Sequence, residues 1–464
     1  MNAPMPEAGT SLGLRQRAAI GCVLAAIVLV VLDAAIANVA LPTIAQSLQV
    51  TPAGSIWVVT AYQMALVMAL LPCAALGESL GYRRVYTAGV ALFTVASALC
   101  ALSPSLPWLI AARFVQGIGG SAVMSLGVAL LRLVVPHQRL GAAIGWNALA
   151  VALSSAAGPT IGSAILLASS WHWLFAVNLP VGMVVLLATR AMPPVPGSAR
   201  RLDLVSVALN AGAFAALVVG ADWLPARPVP GGVLIVAGIL GMTALVRREM
   251  PREAPLIPLD LLRVGSFRIS VIASVCCFAG QAAAMVALPF FLQHGLGQDA
   301  FKTGLYMTPW PLTVAVAAPL AGRFADRIST ARLCAIGGIC LAAGLAAAAL
   351  WPFKGSPLPL IPLTMLCGLG FGLFQVPNNR NMLLSAPRER SGAAGGMQGT
   401  ARLTGQTAGA VMMSLLFALA AGAAPRIGLG VAAALALVAG LVSTLRSQPA
   451  ASGLPDVLVA RRAG

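Results

Sequence analysis

Apolar runs about twenty residues long recur along this chain of 464 residues, separated by short segments that hold nearly all of its charge. A helix crossing ~30 Å of hydrocarbon needs ~20 mostly apolar residues. In lipid the backbone polar groups must be satisfied inside a helix or a closed barrel. Dividing the chain wherever charges, prolines or polar clusters interrupt such a run yields fourteen candidate helical spans, from 18–41 to 427–445. Composition agrees, with 59% apolar and 9% charged residues, against about 25% charged in a soluble domain. A soluble enzyme and a nucleic-acid binder are set aside. The net charge of +17 does not restore the latter, because the bases stand in twos and threes between apolar runs rather than in one stripe.

Orientation follows from those bases. With the N-terminus inside, 23 of the 29 Lys and Arg fall on cytoplasmic segments. Arg227, Lys302, Lys354 and Arg426 fall outside, and Arg113 and Arg402 lie within spans. This is the positive-inside asymmetry, counted over short loops. It also supports the span count, since one false helix would reverse every later loop. Both termini are expected in the cytoplasm.

One arrangement occurs twice. The second span ends in Gly77-Glu78 followed by Gly81 and Arg83-Arg84, and the tenth ends in Gly322-Arg323 followed by Asp326-Arg327. The fifth carries Gly158-Pro159 with Gly162, and the thirteenth carries Gly405 with Gly409. Small residues at that spacing let helix backbones approach closely. Spans one to six then correspond to nine to fourteen. The expected organisation is a six-helix bundle over 1–190, two inserted helices with a linker over 191–265, and a second six-helix bundle with a short tail over 266–464. Paired bundles with a site between them near the midplane are the arrangement of alternating-access transporters. Gly77, Glu78, Gly81, Arg83, Arg84, Asp326 and Arg327 are then gate candidates, with Gly158, Pro159 and Gly162 as the hinge.

An ionisable side chain inside the hydrocarbon costs several kcal/mol and is a functional candidate by default. Asp33 lies roughly 22 Å into the first span from the cytoplasm, and Arg113 in the fourth lies roughly 20 Å from the same face, at 1.5 Å per residue. They are expected at one level. Burial disfavours a charged carboxylate and a neighbouring guanidinium favours it, so a modest rearrangement can load or release a proton. A fixed ion pair locking helices one and four is the plainer reading, and the two are compatible. Asn38, Tyr62, Gln63, Trp146, Asn147, Gln281, Trp310, Phe374, Gln375, Asn378, Asn379 and Arg402 are the polar and aromatic candidates for lining a substrate cavity. Asp222 is expected at the outer interface. No Walker motif, nucleophile elbow or paired-cysteine cluster stands in the chain, so no enzyme activity, cofactor or metal is expected.

The stretch from Leu32-Asp33-Ala34 through Asn38 to Pro42 resembles the first-helix signature of the fourteen-span drug:proton antiporters of the major facilitator superfamily. The segment 76–84 is similar to that family's loop between helices two and three, with Glu78 for Asp and Ser79 for Arg. Arg113-Phe114-Val115-Gln116-Gly117 followed by Gly119-Gly120 matches the fourth-helix motif. Gly158-Pro159 with Gly162 looks like the fifth-helix antiporter motif, and Trp171-His172-Trp173 through Asn178-Leu179-Pro180 resembles the entry to helix six. The resemblance implies an all-α membrane protein of the bacterial inner membrane in which Asp33 and Arg113 couple proton entry to export of lipophilic compounds. The expected substrates are neutral or monocationic, since Asp33 is the single deep carboxylate. A monomer is expected, with proton, substrate and lipid as partners; a periplasmic adaptor is not readable from the chain. A dedicated exporter of one metabolite or lipid is the alternative. A non-transporting sensor is the second, disfavoured because only 19 residues follow Leu445.

Overall fold

The computed structural model describes residues 13–135, 140–193, 203–250, 260–353, 356–386, 391–420 and 422–446. They form helices, with no strand among the described residues. The first half comprises α1 (Leu14–Ser47), α2 (Pro52–Leu80), α3 (Tyr82–Ala101), α4 (Leu106–Val134), α5 (Leu140–Ala168), α6 (Trp173–Ala176) and α7 (Asn178–Ala188). An inserted hairpin, α8 (Leu204–Trp223) and α9 (Pro228–Glu249), follows. The second half comprises α10 (Gly265–Phe290), α11 (Ala300–Met307), α12 (Pro309–Phe324), α13 (Thr330–Leu350), α14 (Leu360–Leu384), α15 (Ser391–Ala420) and α16 (Ala424–Thr444). Twelve stretches among the described residues are long and apolar enough to cross a membrane. With α5 and the α11–α12 pair they account for the fourteen runs.

Local chemistry sets the helix ends. The Thr51 hydroxyl accepts from the Gly54 N–H at 3.1 Å and Pro52 opens α2, where a missing donor costs nothing. At the other end Gly81 has φ of 98°, a conformation that suits glycine and lets α2 turn directly into α3. Two spans differ from the sequence expectation. The tenth is broken at Thr308 because Pro309 restarts the helix as α12, and the sixth opens with the short α6 before resuming at Asn178.

The repeat is visible in the packing. In the first half α5 lies on α1 with Gly158 against Ala35 and Gly162 against Ile36; in the second, α15 lies on α10 with Gly405 against the Val275 carbonyl and Gly409 against that of Ala279. Gly117 of α4 abuts the Tyr62 carbonyl of α2, as Gly368 of α14 abuts the Trp310 carbonyl of α12. Equivalent helices therefore cross at equivalent glycines. In lipid, where apolar area gains little by burial, close backbone approach is what holds helices together.

The halves meet through α2 with α15 and through α5 with α11 and α12. Towards the C-terminal end of α1 one hydrophobic core spans both halves, joining Ile36, Leu41, Ile56 and Trp171 to Phe290, Met307 and Trp310. Thr160 and Thr308 hydrogen-bond across it at 2.5 Å, and Gln46 meets His294 at 3.3 Å. Towards the N-terminal end of α1 the halves have separate cores, with Leu403 of α15 inserted into that of the first. The hairpin straddles the α2–α15 seam. Asn210 donates to the Met68 carbonyl of α2 at 3.0 Å, and Ser414 of α15 donates to Asp222 at 2.7 Å. Asp222, expected at the outer interface, thus serves the helix contact.

Candidate functional site

Asp33 and Arg113 come together as expected. Arg113 Nη1 lies 2.5 Å from Asp33 Oδ2, with 0% and 1% of the two side chains exposed. The carboxylate is held from further directions. Gln116 Nε2 donates to Oδ1 at 3.0 Å and Asn178 Nδ2 donates to the same oxygen at 2.7 Å. The Gln116 amide also donates to Ser97 Oγ at 2.8 Å and accepts from Arg113 Nη1 at 2.5 Å. Arg113 Nε donates to the Val58 carbonyl of α2 at 3.0 Å. Its guanidinium stacks over the Tyr62 ring at 4.1 Å and faces that of Phe175 at 5.4 Å. Five elements, α1 to α4 and the start of α7, thus supply polar groups to the network around one carboxylate, and α6 adds an aromatic wall.

This arrangement does two things chemically. Hydrogen bonds to an ionised acceptor are about twice as strong as neutral ones, so the cage carries a charge that hydrocarbon alone would expel. Removing either partner of such a buried pair costs about 3–5 kcal/mol. Because the donors come from different helices, sliding α1 against α4 or α7 alters how many of them the carboxylate keeps.

Sequence alone does not single out Gln116, Asn178 and Ser97 as site residues. Gln116 stands three residues after Arg113 on the same helical face, and Asn178 lies inside the 171–180 segment. An amide in an apolar run is a weak signal beside a charge.

The cavity candidates divide. Gln63, Asn147, Gln281 and Asn379 each keep a buried amide oxygen, and Arg402 a buried Nε, without a hydrogen-bond partner among the described residues. They lie on α2, α5, α10, α14 and α15. Tyr62 lies under Arg113, with its hydroxyl within electrostatic reach of Arg402. Gln375 is half-buried, and Asn38 donates to its own helix at Ala34 O, 3.0 Å away. Three candidates are packed away in the conformation described. Trp310 and Phe374 are 2% and 0% exposed within the large apolar core, where their many dispersion contacts are best satisfied. Asn378 donates to the Ser270 carbonyl at 3.2 Å and accepts from the buried Arg446, which ties α14 to α10 and α16. Trp146 is 61% exposed and takes no part in this packing.

Of the gate and hinge residues, Gly77 packs against Leu126 of α4, Asp326 pairs with Arg380 of α14 at 2.7 Å, and Arg84 and Arg327 are exposed. Glu78 and Arg83 are half-buried at the α2–α3 turn. Pro159 and Ser163 of α5 sit against Gly304 of α11, so the expected hinge lies where the two halves touch.

Two related helix bundles with a caged acid–base pair inside one of them define a multi-pass membrane transporter. The chain belongs to the major facilitator superfamily, whose family model matches residues 23–410 and 270–459. It is 47% identical over 426 residues to the protein named uncharacterized transporter YebQ of Escherichia coli (strain K12), covering 90% of this chain and 93% of that one. It is 30% identical over 393 residues to the riboflavin transporter RibZ of Clostridioides difficile (strain 630), covering 83% and 85%. It is also 34% identical over 405 residues to the multidrug resistance protein Stp of Mycobacterium tuberculosis, covering 84% and 74%.

Proposed function

We propose that this chain is a proton-coupled antiporter of the bacterial inner membrane that exports lipophilic or amphipathic small molecules by alternating access. It acts as a monomer with both termini in the cytoplasm. The observation that carries the reading is the Asp33 cage: an ionisable carboxylate, sealed within a membrane bundle and bonded to several separate elements. The bundles over 1–190 and 266–464 rock about the contact of α5 with α11, with 191–265 as the insert between them. The core that joins both halves lies at the end remote from Leu14, which, with the N-terminus in the cytoplasm, supports a state that faces the cytoplasm. Rocking moves α15 against α2, which carries Val58 and Tyr62, and through α2 changes the company of Arg113 and so the hold of Asp33 on its proton. A proton drives a substrate when protonation and substrate binding favour different states.

The likeness to multidrug resistance protein Stp supports a broad substrate range, and the likeness to riboflavin transporter RibZ favours a second reading, a carrier dedicated to one metabolite. The test of both is purified protein in liposomes loaded with a pH-sensitive dye and screened against a panel of amphipathic compounds. Proton movement opposite to each exported compound is expected. Export without counter-movement of protons contradicts antiport, and one tight ligand in an otherwise inert panel selects the dedicated carrier.

A further inference from the structure

We infer that the substrate site selects acidic compounds, and that Arg402 is the group that binds their anionic end. The inference rests on the transport reading above and narrows its substrate class.

Arg402 lies on α15 roughly 17 Å from the start of that helix at 1.5 Å per residue. The helix presents Gly396, Gly399 and Leu403 to α2 and its core, and Gly405 and Gly409 to α10. By helical register Arg402 falls between those two faces, at the junction of the halves. A cation at that depth is normally paired or turned to a polar cavity. Arg402 has neither hydrogen bond nor ion pair among the described residues, and its Nε is buried without a partner.

The acids that might have balanced it are committed elsewhere. Asp33 is enclosed by Arg113, Gln116 and Asn178, and Asp222 accepts from Ser414, roughly 18 Å further along α15 at 1.5 Å per residue, under the inserted hairpin. Arg402 is therefore an unpaired guanidinium on α15, and on the two helices that flank it Gln63 of α2 and Gln281 of α10 each keep a buried amide oxygen without a partner among the described residues. A monocation, expected from the sequence, finds there a like charge and no carboxylate. A carboxylate, sulfonate or acidic phenol finds a planar donor fork suited to bidentate pairing. Tyr62 belongs to the first of the two sites. Its ring lies against Arg113 and its hydroxyl donates to the Val30 carbonyl of α1 at 3.4 Å, and α2, which carries it, is also the helix against which α15 packs.

The experiment uses three dansyl amphiphiles of one chain length, ending in a carboxylate, a primary amide and a trimethylammonium group. Their binding to the purified full chain in nanodiscs is followed by dansyl fluorescence. The wild type is expected to bind the carboxylate about tenfold tighter than the other two, equivalent to ~1.4 kcal/mol. Arg402→Gln is expected to abolish that preference while keeping the amide within about twofold. Arg402→Lys retains the charge but not the fork, so it keeps a carboxylate preference reduced about threefold, and it carries the test if the Gln variant does not fold. Tighter binding of the ammonium probe, a carboxylate preference that survives Arg402→Gln, or no carboxylate binding by the wild type overturns the inference. Proton movement plays no part in this assay. Carboxylate selectivity in a protein that moves no protons would leave the inference standing and sink antiport; proton-coupled export without headgroup selectivity would do the reverse.

Discussion

At the scale of single residues, the proposed proton role of Asp33 rests on the cage around it, whose donors come from separate helices. Arg113 alone could neutralise the carboxylate, yet Gln116 and Asn178 also donate to it, and both tie it to Ser97 on α3. Each hydrogen bond to a charged group contributes about 1.5–3 kcal/mol. Gln116→Leu and Asn178→Leu are therefore each expected to lower thermal stability by that order and to cut proton-driven export about tenfold. Wild-type export by both variants would mean that the cage is incidental. The pairing of Asp33 with Arg113 was legible in the sequence because a charge in an apolar run needs either a partner or a function. The amides were not, because hydropathy hardly separates an inward amide from one bonded to its own helix, as Asn38 is. Trp310, Phe374 and Asn378 are buried in the conformation described, a placement that, for a related reason, the sequence does not give. Side-chain type says nothing about which face of a helix meets the core of its own bundle and which meets the other bundle.

At the scale of elements, glycine crossings decide which helices touch and how far they can slide. A methyl added at Gly162 would meet Ile36 of α1 at 3.3 Å, a gap a single carbon nearly fills and a leucine exceeds. Gly162→Leu is expected to fold, since α5 can shift outward by a fraction of its diameter, and to lose transport because α5 can no longer seat against α1. Undiminished transport by this variant would reduce the motif to packing. The small-residue pairs on spans five and thirteen are readable in the sequence itself, and so is their equivalence. Their partners are not. That Gly158 meets Ala35 while Gly405 meets the Val275 carbonyl follows from tertiary packing alone. Nor do the hydrophobic runs show that span ten breaks at Thr308, because a proline inside an apolar stretch kinks some helices and ends others.

At the scale of the whole molecule, fold class was the most legible property, since membrane thickness and backbone satisfaction leave a chain of this pattern few alternatives. Topology rests on the distribution of bases and has its own test. Single cysteines at Ala300 and Ile328, on opposite ends of the α11–α12 span, are expected to react with an impermeant reagent from outside and from the cytoplasm respectively. The reverse pattern would invert the orientation and with it the facing state. What the sequence left open was where the halves close, because that depends on contacts between distant segments such as Thr160 with Thr308. The central claim is that Asp33 carries the proton. Its most direct measurement is export by Asp33→Asn in liposomes under an imposed pH gradient, with substrate binding and helicity measured on the same sample. The variant mimics the protonated carboxyl permanently, so it should bind substrate and retain its fold while gradient-driven export disappears. Export at the wild-type rate under that gradient would place the proton site elsewhere and contradict the mechanism.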